Sequence, residues 1–167
     1  MPQQIGLDGG KSNKGATMKI LLLNGVNMNM LGKRDHTLYG ADTLDTLEQK
    51  VQAHAQALGC QLVCAQSNIE GELVNILQQT DCDAVVFNAG AYAHYSYALR
   101  DCIECLDIPV VNVHMSNIYA RETFRHTDVL ASVCTANFVG QGIQSYFDAV
   151  DFLAQNADTL NLLFKNF

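Results

Sequence analysis

Three segments of this chain gather the side chains that could perform chemistry. They begin at Asn24, Asn88 and His114, and together they hold three of the four arginines and four of the five histidines. A turn with a purely structural task needs glycine and asparagine, but not arginine and histidine as well. Because loops carry functional residues more often than cores do, this clustering favours a binding or catalytic site.

The residue types in these segments favour acid and base chemistry. Arg34 and Tyr39 share the first segment. A tyrosine is a weak base near neutral pH unless a neighbouring guanidinium makes its phenolate accessible. With a histidine as the acid, such a pair suggests proton abstraction coupled to the loss of a leaving group. His114 at a strand end fits an acid–base or hydrogen-bonding role better than a metal-ligand role.

Other kinds of catalytic site have weaker support in the sequence. No cysteine or serine has the context of a nucleophile elbow, which disfavours acyl-enzyme chemistry. The six lysines lie away from convincing strand ends, which disfavours a Schiff base. No set of histidine, aspartate and glutamate has the spacing of a metal site. We therefore expect a site without a metal.

The elements that must position these segments alternate between strands and helices. Apolar runs predict five strands, at Lys19–Asn24, Gln61–Gln66, Ala84–Asn88, 109–114 and 132–140. Helices are predicted around a stripe from Leu44 to Leu58, after the capping box Ser67-x-x-Glu70, over 96–106 and from Ile143 to Leu153. An apolar tail at 160–167 ends the chain.

Five strands alternating with helices predict an α/β fold, in which a parallel sheet forms the middle of a three-layer sandwich. The strand order most common at this size is 2-1-3-4-5, the flavodoxin-like arrangement. Ligands of such folds bind outside the carboxyl ends of the strands, where the strand order reverses. For this order, the site is expected between the first and third strands.

Length, charge and hydropathy narrow the class of protein. A chain of 167 residues fits one domain, for which we take residues 18–167. Apolar residues make up 49% and charged residues 16%, so a sizeable core can form. The net charge of −7 disfavours a nucleic-acid partner. No apolar run reaches the roughly 18 residues of a membrane span, so we expect no membrane partner.

Residues 1–17 are expected to be a disordered leader or a remnant of cloning, because they lack the continuous apolar stretch of a signal peptide. Gly9-Gly10-Lys11-Ser12 has the end of a phosphate-binding loop, but Ile5 stands where that motif needs its first glycine.

The six cysteines, without an export signal, favour a reducing, cytoplasmic location. Cys102 and Cys105 form a C-x-x-C pair late in a predicted helix. A redox pair would instead lie at a helix N-terminus, where the thiol pKa falls. We expect both to be small buried thiols.

Six groups of motifs in sequence order carry a family resemblance. They are Asn24-Gly-Val-Asn-x-Asn-x-Leu-Gly with Arg34 and Tyr39-Gly, Gln66-Ser-Asn-x-Glu-Gly-Glu, Asn88-Ala-Gly-Ala-Tyr-x-His, Ala98-Leu-Arg-Asp, His114-x-Ser-Asn and Arg121-Glu-x-Phe-Arg. Together they resemble type II 3-dehydroquinate dehydratase, from about Met18 to Leu153. The resemblance implies a flavodoxin-like fold, a dodecamer built as a tetramer of trimers, and neither metal nor cofactor.

The resemblance also implies a reaction and its catalytic residues. Tyr39 would remove the proton alpha to the ketone of 3-dehydroquinate and form an enolate. Arg34 would hold Tyr39 as phenolate, and Asn27 would fix a water against the enolate oxygen. His114 would protonate the departing hydroxyl, giving 3-dehydroshikimate. The segment from Gly32 to Gly40 would be a mobile lid.

Further residues are implied to bind the substrate. Hydroxyl groups would contact Asn88, His94 and Arg125, while Ser116 and the backbone at Met115 would hold the carboxylate. Asp101 would reach the site of a neighbouring subunit.

Three departures from the family pattern stand out. The family usually has proline at Val26 and Glu-Pro at Asp35-His36, and both changes could alter the stiffness of the lid. It also usually has glutamate where Asn112 stands, two residues before His114 and on the same strand face. Because an asparagine can accept the ring N–H bond without bringing a charge, we expect a less basic His114.

Several residues have plainer interpretations. Asn27 and Asn88 could serve only as turn residues. We expect Arg100 to form a structural ion pair and Tyr92 to contribute packing. Three histidines without a matching role are expected near the surface: His36, His54 and His126.

Two alternatives to the dehydratase remain open. A flavodoxin-like module could bind a nucleotide or flavin, although its first loop should then favour serine, threonine and glycine over asparagine and methionine. An inactive relative kept for assembly is the other alternative, because Asn112 departs from the pattern.

Overall fold

The computed structural model describes residues 17–164, which surround one sheet of five parallel strands. The strands are β1 (Lys19–Asn24), β2 (Gln61–Gln66), β3 (Ala84–Asn88), β4 (Val110–His114) and β5 (Ala136–Val139). They lie in the order β2-β1-β3-β4-β5, and every neighbouring pair is parallel. The predicted flavodoxin-like fold and its strand order are confirmed.

Helices on both faces of the sheet complete the sandwich. Within the described residues these are α1 (His36–Tyr39), α2 (Leu44–Ala57), α3 (Glu70–Gln79), α4 (Tyr97–Glu104), α5 (Gln144–Gln155) and α6 (Ala157–Phe164). None of them is long and apolar enough to cross a membrane. Short 3-10 helices occupy the loops after β1, β3 and β4.

The core consists of two apolar layers, one on each face of the sheet. Ile20 and Leu22 of β1 belong to the layer under α2 and α5, whereas Leu21 and Leu23 belong to the layer under α3 and α4. The alternation follows because successive side chains of a strand point to opposite faces. Each fully buried side chain of this size contributes about 1.5–3 kcal/mol, so the central strands are firmly held.

The strand predictions were accurate where an apolar run ends at turn residues. The bounds of β1, β2 and β3 are those expected, and β4 begins one residue later than predicted. The prediction of a strand over 132–140 was wrong in its first half, because β5 begins at Ala136. The backbone N–H groups of Val133 and Cys134 both donate to the Leu130 carbonyl, which makes this stretch a turn.

Two local predictions around helices were also wrong. Ser67 does not form a capping box with Glu70, because α3 begins at Glu70 with Ile69 as its N-cap. The Ser67 hydroxyl instead accepts from the Ile69 N–H and donates to the Glu72 carboxylate. Cys102 is buried as expected, but Cys105 is exposed because it follows the last residue of α4.

The predictions for the chain ends fall largely outside the described residues. The leader (up to residue 16) and the loop-like Gly9-Gly10-Lys11-Ser12 belong to that part of the sequence, as do residues 165–167 of the apolar tail. The rest of the tail forms part of α6, with Leu160 buried against the core.

The sheet brings the three polar segments to one edge. Asn24 and Asn88, the last residues of β1 and β3, are paired in register, and β4 lies next to β3. Because parallel strands end at the same edge, the loops after these three strands meet there.

Candidate active site

A cavity of roughly 550 Å³, counting its open mouth, lies at the carboxyl ends of β1, β3 and β4. Nine of the ten predicted site residues line this cavity: Asn27, Arg34, Tyr39, Asn88, His94, His114, Met115, Ser116 and Arg125. The tenth, Asp101, lies on α4 with 74% of its side chain exposed and 3.8 Å from Arg100.

Two glycines let the loops after β1 and β3 approach each other closely. A Cβ atom on Gly25 would lie 2.4 Å from the Ala89 carbonyl oxygen. A Cβ atom on Gly90 would lie 2.6 Å from the Val26 carbonyl oxygen, and Gly90 has a φ of +63°. Asn27 also has left-handed backbone, with a φ of 65°, as its interpretation as a turn residue expects.

The Tyr39 hydroxyl lies between two guanidinium groups. Arg34 donates from Nη2 at 2.9 Å, and Arg121 donates from Nη1 at 2.7 Å. The Arg34 guanidinium also lies over the tyrosine ring, 3.8 Å from its centroid. The predicted contact between Arg34 and Tyr39 is therefore present. Two positive charges at one hydroxyl oxygen stabilise negative charge on that oxygen.

Sequence reasoning missed the contact of Arg121 with Tyr39. Its guanidinium also donates to the Ser116 hydroxyl at 3.2 Å, so it joins the first and third polar segments. Only 14% of the Arg121 side chain is exposed. The signal in the sequence was its position in one of the arginine-bearing loops, but its 82-residue separation from Tyr39 carries no information on contact.

Local hydrogen bonds shape the loop that carries Tyr39. Asp35 caps α1 by accepting from the Thr37 N–H at 2.9 Å and from its hydroxyl at 2.6 Å. These bonds hold the pKa of the Asp35 carboxyl below its usual range. His36 Nε2 lies 3.1 Å from the Gly32 carbonyl oxygen. Because a carbonyl oxygen can only accept, Nε2 carries the proton and donates to it. Asp35 thus caps the start of α1, and His36 is the first residue of that helix.

His114 is held by a carboxylate that sequence reasoning did not find. Its Nε2 lies 2.8 Å from Oδ2 of Asp128, and only 6% and 4% of the two side chains are exposed. The expectation that Asn112 accepts the ring N–H bond was wrong. Asn112 instead donates from Nδ2 to the same Asp128 oxygen at 2.7 Å and to Asn137 at 3.0 Å.

Asp128 carries its negative charge in this setting. Burial opposes ionisation, but the hydrogen bond and charge of His114, with bonds from Asn112 and Leu130, hold the pKa of the Asp128 carboxyl below its usual range. No regular spacing links Asp128 to His114, because it lies in an irregular segment after a 3-10 helix at Thr123–His126.

His94 lies beside His114 in a neutral form. The two rings stack with centroids 6.1 Å apart. Burial lowers the pKa of His94, although its backbone hydrogen bond to Thr127 works in the opposite direction. Because the Thr127 carbonyl can only accept, Nδ1 of His94 donates to it at 2.8 Å. Nε2 of the neutral ring is then an acceptor, suited to a hydroxyl group.

A buried chain of hydrogen bonds holds the Asn88 side chain. Nδ2 of Asn88 donates to the Tyr146 hydroxyl at 2.8 Å, and that hydroxyl donates to Asn24 Oδ1 at 2.7 Å. The Gly90 N–H donates to Asn88 Oδ1 at 3.1 Å. Burial raises the pKa of Tyr146, which keeps its proton. The Asn88 amide is thereby set in one orientation at the cavity wall.

Four other residues for which the sequence predicted a plainer role do not line the cavity. Arg100 forms the expected ion pair, 3.6 Å from Glu104 one turn away on α4. Tyr92 packs at the margin of the core and donates its hydroxyl proton to the Asn68 carbonyl. His126 is exposed. His54 is half-buried rather than exposed, and it pairs with Asp151 at 2.7 Å.

The cavity carries positive charge although the whole chain is acidic. Arg34, Arg121 and Arg125 all line it, while Glu122 pairs with Arg125 at 2.8 Å outside the lining. Such a site favours a small anion. Among residues 17–164, no group of three or more histidine, cysteine, aspartate and glutamate side chains is placed to hold a metal ion.

The fold and this cavity define a flavodoxin-like α/β protein whose site pairs a tyrosine with arginines and a histidine with a carboxylate. The sequence model of the family described as Dehydroquinase class II matches residues 18–154. The chain belongs to this family, and it is accordingly an enzyme of the hydro-lyase class.

Individual relatives agree with the family match. A protein of Pelotomaculum thermopropionicum named 3-dehydroquinate dehydratase is 47% identical over 144 residues, covering 85% of this chain and all of its own length. The crystal structure of type II dehydroquinase from Butyrivibrio crossotus has a TM-score of 0.81 at 39% identity, covering 83% of this chain and 99% of its own. The corresponding structure from Propionibacterium acnes has a TM-score of 0.80 at 35% identity, covering 84% and 99%.

Proposed function

We propose that this enzyme dehydrates 3-dehydroquinate to 3-dehydroshikimate through an enolate intermediate. The observation that carries the proposal is the pairing within one cavity of a Tyr39 hydroxyl bound by two guanidiniums and a His114 ring bound by a carboxylate. An elimination needs a base and an acid on one substrate, and this pairing supplies both.

Tyr39 acts as the base. As phenolate, it removes the proton alpha to the substrate ketone, and the electron pair of that C–H bond forms the enolate. Arg34 and Arg121 favour the phenolate because each places a positive charge at hydrogen-bond distance from its oxygen. Asn27, at the cavity wall, fixes a water that donates to the enolate oxygen.

His114 acts as the acid in the second step. The enolate collapses, the carbon–oxygen bond to the beta hydroxyl breaks, and His114 donates a proton so that water leaves. Because Nε2 donates its hydrogen bond to Asp128, Nδ1 is the ring nitrogen that serves the substrate. The proton taken by Tyr39 and the proton given by His114 balance over one turnover.

The remaining lining residues bind the substrate. Asn88 and His94 contact its hydroxyl groups, with the Asn88 amide oriented by Tyr146 and His94 Nε2 as acceptor. Arg125 binds a further hydroxyl. The Ser116 hydroxyl and the Met115 backbone hold the carboxylate, and Arg121 beside Ser116 adds positive charge.

Assembly and lid motion are part of the same proposal. The chain forms a dodecamer in the cytoplasm, as the resemblance implies, and Asp101 reaches a neighbouring subunit's cavity. Its exposure on α4 leaves it accessible for that contact. The segment from Gly32 to Gly40 closes over bound substrate and delivers Arg34.

An ultraviolet assay tests the proposal, because the product is a conjugated enone and the substrate is not. We expect turnover of 3-dehydroquinate by the wild-type enzyme and a loss of about 10³-fold in kcat for Tyr39→Phe, which keeps the ring but removes the base. Tyr119→Phe is the matched control, since Tyr119 is 60% exposed and does not line the cavity.

Three outcomes would contradict parts of this mechanism. Full activity of Tyr39→Phe would reject the base. Inactivation by borohydride in the presence of substrate would show an imine mechanism instead. No turnover by the wild-type enzyme would leave an inactive relative as the correct interpretation.

A further inference from the structure

The carboxylate of Asp128 does not line the cavity itself, but it contacts the ring of His114, which does. Its Oδ2 accepts from His114 and Asn112, at 2.8 and 2.7 Å. Its Oδ1 accepts from the backbone N–H groups of Leu130 and Ala131, at 2.9 and 3.2 Å. Four hydrogen bonds hold one buried carboxylate in a single orientation, so the ring it contacts is held as well.

Asn112 is adapted to this carboxylate rather than to the ring. It lies two residues before His114 on the same face of β4, and it is fully buried. Its Nδ2 donates to Asp128, whereas its Oδ1 is buried without a hydrogen-bond partner among the described residues. The hydrogen bonding of the Asn112 amide therefore serves the Asp128 carboxylate.

Positions 112 and 128 cannot both carry a carboxylate at low cost. The Asn112 amide lies within hydrogen-bond distance of Asp128 Oδ2, and both side chains are buried. A glutamate at 112 would bring a second negative charge to the same place, where like charges resist joint ionisation. The neutral residue at 112 and the acid at 128 therefore form one linked arrangement.

We propose that Asp128 is the positioning residue of the acid His114, and that Asn112 is its neutral partner. In this chain the carboxylate that contacts the histidine comes from the loop after β4, while the neighbouring residue on the strand itself is the neutral Asn112. The inference rests on the proposed function, because it concerns the acid of that reaction.

The other groups around the pair do not replace this carboxylate. His94 stacks on His114 but is neutral, and Arg125 on the same wall is a cation. Burial and the charge of Asp128 raise the pKa of the Cys134 thiol to about 12, so the thiol stays neutral. The carboxylate of Asp128 thus supplies the negative charge that stabilises a protonated His114 ring.

Placing the carboxylate on the strand instead of the loop tests the proposal. The set comprises Asp128→Asn, Asn112→Glu, the double variant Asn112→Glu/Asp128→Asn, and the control Asp107→Asn, which removes the same charge from an exposed turn after α4. The pH dependence of kcat and KM for 3-dehydroquinate is measured for each, with circular dichroism to check folding.

We expect kcat of Asp128→Asn to fall about 10²-fold with little change in KM, since the acid works only during the chemical step. The fall of kcat at alkaline pH should move to lower pH, because the neutral amide of Asp128→Asn no longer stabilises a positive charge on the ring it contacts. Asn112→Glu alone should be less stable. The double variant should regain most of the lost rate and the original alkaline limb.

Two results would overturn the proposal. One is a folded Asp128→Asn enzyme with the rate and alkaline limb of the wild type. The other is a folded double variant that recovers neither, because the effect of Asp128 would then be structural and not a matter of its charge.

A measurement without substrate separates this inference from the proposed function. Carbon-13 resonances of labelled histidine report the titration of His114 in the free enzyme. A lower titration midpoint in Asp128→Asn, restored in the double variant, supports the pairing even if 3-dehydroquinate is not turned over. An unchanged midpoint rejects the pairing even if turnover is normal.

Discussion

Tyr39 lies on the four-residue helix α1 in a surface loop, whereas His114 ends a strand that is buried along its whole length. The tyrosine hydroxyl is bound by two cations, and the histidine ring is bound by one anion. Each partner favours the proton state that the proposed reaction needs, because cations stabilise a phenolate and an anion stabilises an imidazolium. The site thus has a base half, formed by Tyr39 with Arg34 and Arg121, and an acid half, formed by His114 with Asp128. The reactive group of each half is bound by charge of the opposite sign to the other.

The two halves also differ in what holds them in place. A four-residue helix has no stability of its own, so α1 depends on the Asp35 cap and on contacts of Tyr39 with the arginines. The acid half is held by the hydrogen bonds between β3 and β4 and by the apolar layer under α2 and α5, to which β4 contributes. Local opening is easiest where few buried contacts exist, so the base half is the one able to move.

Apart from the loss of Tyr39 itself, the largest effect on the base half should come from removing one of its two cations. We expect Arg121→Ala to lower kcat about 10²-fold, as for other preorganised donors at a charged oxygen. Arg121→Lys should recover part of that loss, because an ammonium keeps the charge but not the planar fork. Steady-state kinetics with 3-dehydroquinate measure both.

The control for this cation is Lys19→Ala, which removes one positive charge paired with Asp81 at the opposite edge of the sheet. Equal losses for Lys19→Ala and Arg121→Ala would mean that overall charge, and not the contact with Tyr39, sets the rate.

A smaller effect is expected on the stability of the acid half. At pH 7 the wild type should be about 1–3 kcal/mol more stable than Asp128→Asn, because the charged hydrogen bonds of a buried carboxylate are lost. The folded-state pKa of Asp128 is lowered, so this stability is present above the usual carboxyl pKa of about 3.9 and disappears as the pH falls below it.

Urea unfolding at pH 7 and in acid, at one protein concentration, measures this difference. If the advantage of the wild type were the same at both pH values, the carboxylate would not be the charged group that the acid half requires.

The smallest effect should come from an ion pair outside both halves. His54 and Asp151 join α2 to α5, and about a third of each side chain is exposed. We expect Asp151→Asn to change the free energy of unfolding by about 1 kcal/mol or less and to leave kcat unaltered. A large loss of kcat would mean that the packing of α2 on α5 controls the site, and the comparison of two local halves would fail.

The sequence predicted the sheet because apolar runs and turn residues are local signals. The runs at Lys19–Asn24 and Ala84–Asn88 end at asparagines, and the structure keeps both bounds. The start of β5 could not be predicted this way, since the turn before it depends on two bonds to the Leu130 carbonyl. Residue types at strand ends likewise predicted the edge of the sheet at which the cavity lies, whereas most of the individual lining residues were predicted through the family resemblance of their motifs.

What the sequence by itself determined is the flavodoxin-like order of strands and the edge at which the site lies, and the resemblance of its motifs to a known family predicted most of the lining residues. Hydrophobic periodicity and loop composition are local properties of the sequence, so they can be recognised without coordinates. Only the tertiary structure decided which charge meets which reactive group. Arg121 reaches Tyr39 and Asp128 reaches His114 from irregular segments, where contact depends on how the loops pack and no spacing in the sequence records it.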